Sequence, residues 1–130
     1  MNDISNTIVI AFDGTAASGK GAVAKLLAEK LEYDYLDTGL MFRKVAYYCD
    51  MQNFTQDDNH VLTELIKKID FDKQIDLKEL YSDNISDIAS KIATLKSVRN
   101  ALLDIQRKFA KNKQGVVIDG RDTVGITPKM

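Results

Sequence analysis

A doubly wound α/β fold on a parallel sheet is the architecture that this 130-residue sequence predicts. Three observations predict it. A short, nearly continuous apolar run, Thr7-Ile8-Val9-Ile10-Ala11-Phe12, leads into a glycine-rich turn and then an amphipathic stretch. That is the pattern of a buried parallel strand feeding a helix. Two more short apolar runs, Tyr33–Leu36 and Gly115–Ile118, follow with helical patterns between them. All three runs end in polar clusters: Gly14–Lys20, Asp37–Gly39 and Asp119–Asp122. Ligands of open parallel sheets bind outside the carboxyl ends of the strands, so the clusters belong to one edge.

The turn after the first strand reads Gly14-Thr15-Ala16-Ala17-Ser18-Gly19-Lys20-Gly21. Its G-x-x-x-x-G-K spacing is that of a loop whose backbone N–H groups surround a polyphosphate. One lysine reaches the β- and γ-phosphates, and the positive end of a helix dipole stands behind them. A turn that merely lets strand and helix pack closely is the bland alternative. The strand before and the amphipathic helix after are the context that favours phosphate binding. The usual motif continues with Ser or Thr, which holds Mg²⁺; here Gly21 and Ala22 follow Lys20. This departure points away from switch GTPases and motor ATPases and toward nucleoside monophosphate kinases. Asn112-Lys113-Gln114-Gly115 is like a guanine-recognition run, but Gly115 stands where such a run needs Asp.

Composition narrows the class. A formal charge of −1 argues against a general nucleic-acid or membrane-surface binder, because no excess positive field would draw either. No apolar run is long enough to span a bilayer, and Met1–Asn6 lacks the basic start and apolar core of a signal peptide. The cytosol is the expected compartment. Cys49, the single cysteine, has no internal disulfide partner and reads as a packing residue rather than a nucleophile.

The remaining elements follow in order. After the loop, Val23, Leu26, Leu27 and Leu31 recur at helical spacing, opposite Lys25, Glu29 and Lys30. Asp37 or Thr38 is placed to cap the next helix, which carries Met41, Val45 and Tyr48 inward. Asn53–Asn59 is a polar loop, and Val61, Leu62, Leu65, Ile66 and Ile69 mark another amphipathic helix. Between Asp70 and Asp83 the pattern weakens. There Ile69–Asp72 alternates like an edge strand, and Leu77–Tyr81 suits one helical turn. Ile85, Ile88, Ala89 and Ile92, then Val98, Leu102, Ile105 and Phe109, give two helices joined near Leu95–Ser97. Thr123–Met130 carries the only proline and no clear pattern.

Phosphoryl transfer asks a protein mainly for positioning and for positive charge around crowded phosphates. Lys20 serves the donor phosphates. Arg43, Arg99 and Arg121 are candidates for an acceptor phosphate, since guanidinium forks grip phosphate oxygens bidentately. Taken singly, each arginine also reads as a surface or ion-paired residue. Asp119, at the end of an apolar strand, suits a water-mediated Mg²⁺ contact; a plain Asp-Gly turn is the alternative. His60, the only histidine, lies away from every motif and is not needed as a base.

Four blocks in order, Gly14–Val23, Leu36–Arg43, Ala89–Arg99 and Asp119–Asp122, resemble bacterial cytidylate kinases across nearly the whole chain. The resemblance implies a P-loop nucleoside monophosphate kinase-like sheet, transfer of the ATP γ-phosphate to CMP or dCMP, and Mg²⁺ carried by the nucleotide rather than by direct protein ligands. Gly14, Thr15, Ala16, Ala17, Ser18, Gly19, Lys20, Gly21 and Ala22 would then hold ATP. Asp37, Thr38, Arg43, Ser90, Arg99, Arg121 and Asp122 would hold the acceptor, with Lys20, Arg121 and Asp119 closest to the chemistry. Residues 1–52 would be the first part of the core, 53–112 an inserted, mainly helical monophosphate-binding region, and 113–130 the third core strand and tail. Small nucleotides would be the only partners, with no nucleic acid or membrane, and the chain would act as a monomer.

Departures from the family pattern qualify these expectations. Thr15 stands where proline is usual, and Ala22 where a hydroxyl helps with phosphate and Mg²⁺. Family members continue past Asp122 with two more strands and an arginine-bearing lid. The sequence therefore covers the N-terminal part, an incomplete sheet with strands 2-3-1 present out of the family order 2-3-1-4-5, which leaves strand one as an open edge. Should the chain end at Met130, charge compensation is short of the lid arginines and turnover several orders of magnitude lower is expected, as one arginine finger is worth about 10³–10⁵. The alternative reading is a weakly nucleotide-binding remnant without appreciable catalysis.

Overall fold

The computed structural model describes residues 6–13, 20–53 and 59–120, with the backbone alone at Asp13 and Lys20. In chain order the elements are β1 (Ile8–Asp13), α1 (Lys20–Leu31), β2 (Asp34–Asp37), α2 (Thr38–Met51) and α3 (Asn59–Lys68). They continue with α4 (Leu77–Leu80), α5 (Asp83–Ile92), α6 (Lys96–Ala110) and β3 (Gly115–Gly120). Two compact units divide them: Met1–Gly39 with Leu103–Met130, and Leu40–Leu102.

The first unit is built on a parallel sheet of order β1-β3-β2, the 2-3-1 arrangement expected from the sequence. β3 is central, and each of its six residues is buried. Register runs from Ile8 opposite Gly115 to Asp13 opposite Gly120 on one side, and from Asp34 opposite Val116 to Asp37 opposite Asp119 on the other. Side chains of a strand alternate between faces, and β3 uses both. Val117 packs with Ala24 and Ala28 of α1, beside Ile10, Phe12, Tyr33 and Tyr35. Val116 and Ile118 pack on the other face with Ala110, Leu103 and Phe109 of α6, beside Val9 and Leu36. Helices on both faces explain why the strands read as unbroken apolar runs rather than alternating ones. Thr7, just before β1, sits with its hydroxyl 3.1 Å from the Ala110 carbonyl and 2.8 Å from that of Lys113, fixing the start of β1 to the approach of β3.

The apolar spacing of α1 suggested Val23, Leu26, Leu27 and Leu31 as its inner face. Instead Ala24 and Ala28 are buried, while Val23, Leu26 and Leu31 are 57, 53 and 41% exposed. Alanine methyl groups let the helix close onto β3, where leucines would hold it off. Glu32 and Asn112, just past α1 and near the end of α6, take left-handed backbone conformations, the common way for a helix to stop.

The second unit is helical. Among the described residues its buried apolar side chains are Met41, Val45, Ala46 and Cys49 of α2, and Leu62, Leu65 and Ile66 of α3. Leu80 of α4, Ile85, Ile88, Ala89 and Ile92 of α5, and Val98 and Leu102 of α6 complete the set. Fully burying one large side chain of this kind stabilises by about 1.5–3 kcal/mol. The weakly patterned stretch gives the helical turn α4 but no strand at Ile69–Asp72. A side-chain anchor holds that stretch: the Lys44 ammonium donates to the carbonyls of Phe71 at 2.6 Å and Lys73 at 3.3 Å. Asp76 caps α4 by accepting from the Lys78 N–H, and Ser82 caps α5 by accepting from the Ile85 N–H. Among the described residues no helix is long and apolar enough to cross a membrane.

Cys49 is fully buried, as its neighbours suggested. Burial pushes its thiol above the ordinary range, and the adjacent Asp50 adds to the shift. The folded protein therefore keeps this proton at pH values where the unfolded chain, near the usual thiol value of about 8.5, has lost it. Its contribution to stability is complete below about pH 8.5 and is lost as the pH rises through the higher folded value. Iodoacetamide is expected to label Cys49 far more slowly in the native chain than in urea, and Cys49→Ala to flatten the fall in stability above pH 8.5. Equal labelling rates in both states would show the thiol to be exposed.

Candidate functional site

The C-terminal ends of the strands gather polar groups in the first unit. Asp119, next to last in β3, is only 4% exposed. The Tyr35 phenol donates to its Oδ2 at 2.9 Å. The same oxygen bears on the start of α1: a Cβ at Gly21 would stand 3.4 Å from it, in ordinary van der Waals contact, so the helix N-terminus lies beside the carboxylate. The ammonium group of Lys25, one turn along, sits 5.7 Å from the centre of the Tyr35 ring. A carboxylate held by a phenol and facing a helix start is a hard oxygen donor, suited to a cation contacted directly or through water.

Thr38 opens α2 and is buried. Its hydroxyl donates to the Asp119 carbonyl at 3.0 Å, which ties the first turn of α2 to the tip of β3. The approach is close enough that a Cβ at Gly120 would overlap the Thr38 oxygen. Asp37, the last residue of β2, stands opposite Asp119 in the sheet register. The structure thus brings Gly21, Asp37, Thr38 and Asp119 to one edge, as the strand-end clusters suggested. Tyr35 was not singled out from the sequence. Its position two residues before Asp37, on a strand whose polar tip meets that of β3, was the available signal.

Three further candidate residues belong to the helical unit. Arg43 is half-buried on α2, with its Nη1 donating to the Leu80 carbonyl at 2.9 Å and the Ser86 hydroxyl at 2.8 Å. Its guanidinium carbon is 4.0 Å from the centre of the Tyr81 ring. Ser90 on α5 and Arg99 on α6 are exposed. Ala22 is exposed in the first turn of α1. Gly14–Gly19, Arg121, Asp122 and the side chain of Lys20 lie outside the described residues. Among the described residues no group of three or more His, Cys, Asp or Glu is placed to hold a metal ion.

Comparison with known proteins agrees with the four sequence blocks. The family model for cytidylate kinase matches residues 10–127. The chain is 36% identical over 126 residues to the cytidylate kinase of Fusobacterium nucleatum, covering 90% of this chain and 57% of that protein. It is 40% identical over 116 residues to that of Rhizobium meliloti, with coverage of 89 and 54%. To that of Bartonella tribocorum it is 43% identical over 114 residues, with coverage of 88 and 53%. The chain spans about half the length of these relatives, matching them over most of its own. With the 2-3-1 parallel sheet and the polar groups gathered at its strand ends, these matches show that the chain belongs to the cytidylate kinase family.

Proposed function

We propose that this chain holds ATP at the strand-end edge of its sheet and serves transfer of the γ-phosphoryl group to CMP or dCMP, giving CDP or dCDP. The observation that carries the reading is the convergence of Asp119, Tyr35, Thr38 and the glycine start of α1 at that edge, in a chain of this family. In the reaction, a phosphate oxygen of the acceptor attacks the γ-phosphorus in line. The bond from that phosphorus to the bridging oxygen breaks, and ADP leaves with the electron pair, with no covalent enzyme intermediate. Backbone N–H groups from Gly14 to Gly21 and the Lys20 ammonium hold the donor phosphates. Asp119 is the residue suited to Mg²⁺ arriving with ATP, and that ion, when bound, neutralises charge on the phosphates. Asp37, Thr38, Arg43, Ser90, Arg99, Arg121 and Asp122 serve the acceptor. Thr38 acts through its bond to the Asp119 backbone, which fixes the strand tip.

Transfer from γ-labelled ATP tests the reading. Label is expected in CDP when CMP is supplied and in dCDP when dCMP is supplied, and not in AMP-derived product. A second reading, nucleotide binding without appreciable transfer, is favoured by one observation: Ala22 stands where the family pattern has a hydroxyl that helps with phosphate and Mg²⁺. Calorimetry showing ATP binding together with an absence of labelled CDP would select it.

A further inference from the structure

Arg43 commits one nitrogen to the protein itself. Its Nη1 donates to the Leu80 carbonyl and to the Ser86 hydroxyl, at 2.9 and 2.8 Å. A guanidinium Nη carries two N–H bonds, so both are spent. Leu80 ends α4, Tyr81 follows it, and Ser86 lies near the start of α5. All belong with Arg43 to the helical unit, so the arrangement is internal to that unit. The Tyr81 ring, 4.0 Å from the guanidinium carbon, covers one face of the group and fixes its plane.

A guanidinium grips an oxyanion bidentately along one of its edges: end-on through Nη1 and Nη2, or side-on through Nε and Nη2. With Nη1 occupied, the end-on edge is closed. Among the described residues neither Nε nor Nη2 has a hydrogen-bond partner. The side-on edge is therefore the one left whole, on a group whose orientation three contacts already set. A fork held in place before binding loses less conformational freedom when it binds, and a lysine ammonium would offer no edge to orient.

We infer that Ser86, Tyr81 and the Leu80 carbonyl position Arg43 as a side-on fork for a single phosphate monoester, the monophosphate group of the acceptor nucleotide. Ser86 and Tyr81 are positioning residues that act through Arg43. The inference rests on the acceptor reading proposed above. A purely structural tie between α2 and the α4–α5 junction would use the same contacts, but it would not make phosphate recognition depend on them.

Calorimetry of the full chain with CMP and with cytidine separates the two, since the ligands differ only by the phosphate. Ser86→Ala and Tyr81→Leu are each expected to cut the CMP-to-cytidine affinity ratio about 3- to 10-fold, with cytidine affinity held within about twofold. Ser86→Thr and Tyr81→Phe, which keep the hydroxyl and the ring face, should restore the ratio. In the wild-type chain, the Arg43 Nε–Hε resonance should move with CMP and stay still with cytidine. A wild-type chain that prefers CMP while both variants keep its ratio, or while that resonance stays still, overturns the positioning and leaves the acceptor reading standing. A wild-type chain that holds CMP no better than cytidine overturns the acceptor reading, and the positioning with it.

Discussion

Gly120→Ala should lower the melting temperature by roughly 10–20 °C, the largest stability effect expected of any methyl-sized change in this chain. The added Cβ would overlap Thr38 Oγ1 at a position where both residues are buried. Thr38 is β-branched and short, so it has no flexible end to swing aside. Two costs follow. Overpacking a filled site takes about 1–3 kcal/mol. Pushing the hydroxyl off the Asp119 carbonyl also loses a buried hydrogen bond, about another 0.5–1.5 kcal/mol. Together they approach a large fraction of the roughly 5–15 kcal/mol that holds a domain folded. The double variant with Thr38→Ala makes the test specific. Removing the obstructing side chain should make the pair markedly less destabilising than the sum of the single changes. A Gly120→Ala chain that melts within two or three degrees of wild type would mean that α2 does not approach β3 this closely.

Lys20→Met carries the largest expected effect on nucleotide chemistry. The residue opens α1 at the end of the phosphate-loop motif. Losing a charge-assisted contact to phosphate is expected to cost about 10- to 100-fold in ATP affinity. Transfer should suffer more, about 10²–10³-fold, because charge on the transferring group must be met in the transition state as well. Methionine matches the length of the stem, so the melting temperature without nucleotide should barely move. The rise in melting temperature expected of the wild-type chain at saturating ATP, by linkage, should shrink or vanish. An unchanged ATP-induced rise in the variant would remove Lys20 from the site.

The sequence made the sheet legible because both faces of it are covered. Val116, Val117 and Ile118 form an unbroken apolar run for the plain reason that α6 lies on one side and α1 on the other. The strand-end polar clusters announced the edge for the same topological reason. What it obscured were contacts made by small or neutral groups. The inner face of α1 is two alanines, which carry little hydropathic signal beside the exposed leucines and valine that surround them. Tyr35 holds Asp119 through one phenol, and nothing in a strand's alternation distinguishes a tyrosine that binds a carboxylate from one that only packs. Ser86 and Tyr81 meet Arg43 across 43 and 38 positions of sequence, bringing three separate helices together at the one guanidinium. Such pairings arise from tertiary structure and have no local spacing to betray them. The stretch after Ile69 escaped for another reason: the Lys44 ammonium reaches it from α2 and adds to the turn that its own Asp70 makes.

Among the described residues β1 has one hydrogen-bonded neighbour, β3, and the opposite row of amides and carbonyls faces outward. Ile8 on that strand is 53% exposed. On α1, Lys25 leans toward Tyr35 of β2, so Val23, about 160° round the helix from it, projects to the β1 side. A greasy margin therefore runs beside a ladder that can accept another strand. Left bare at high protein concentration, such a margin makes the molecule sticky toward its own kind, and handling it would be governed by dilution more than by temperature.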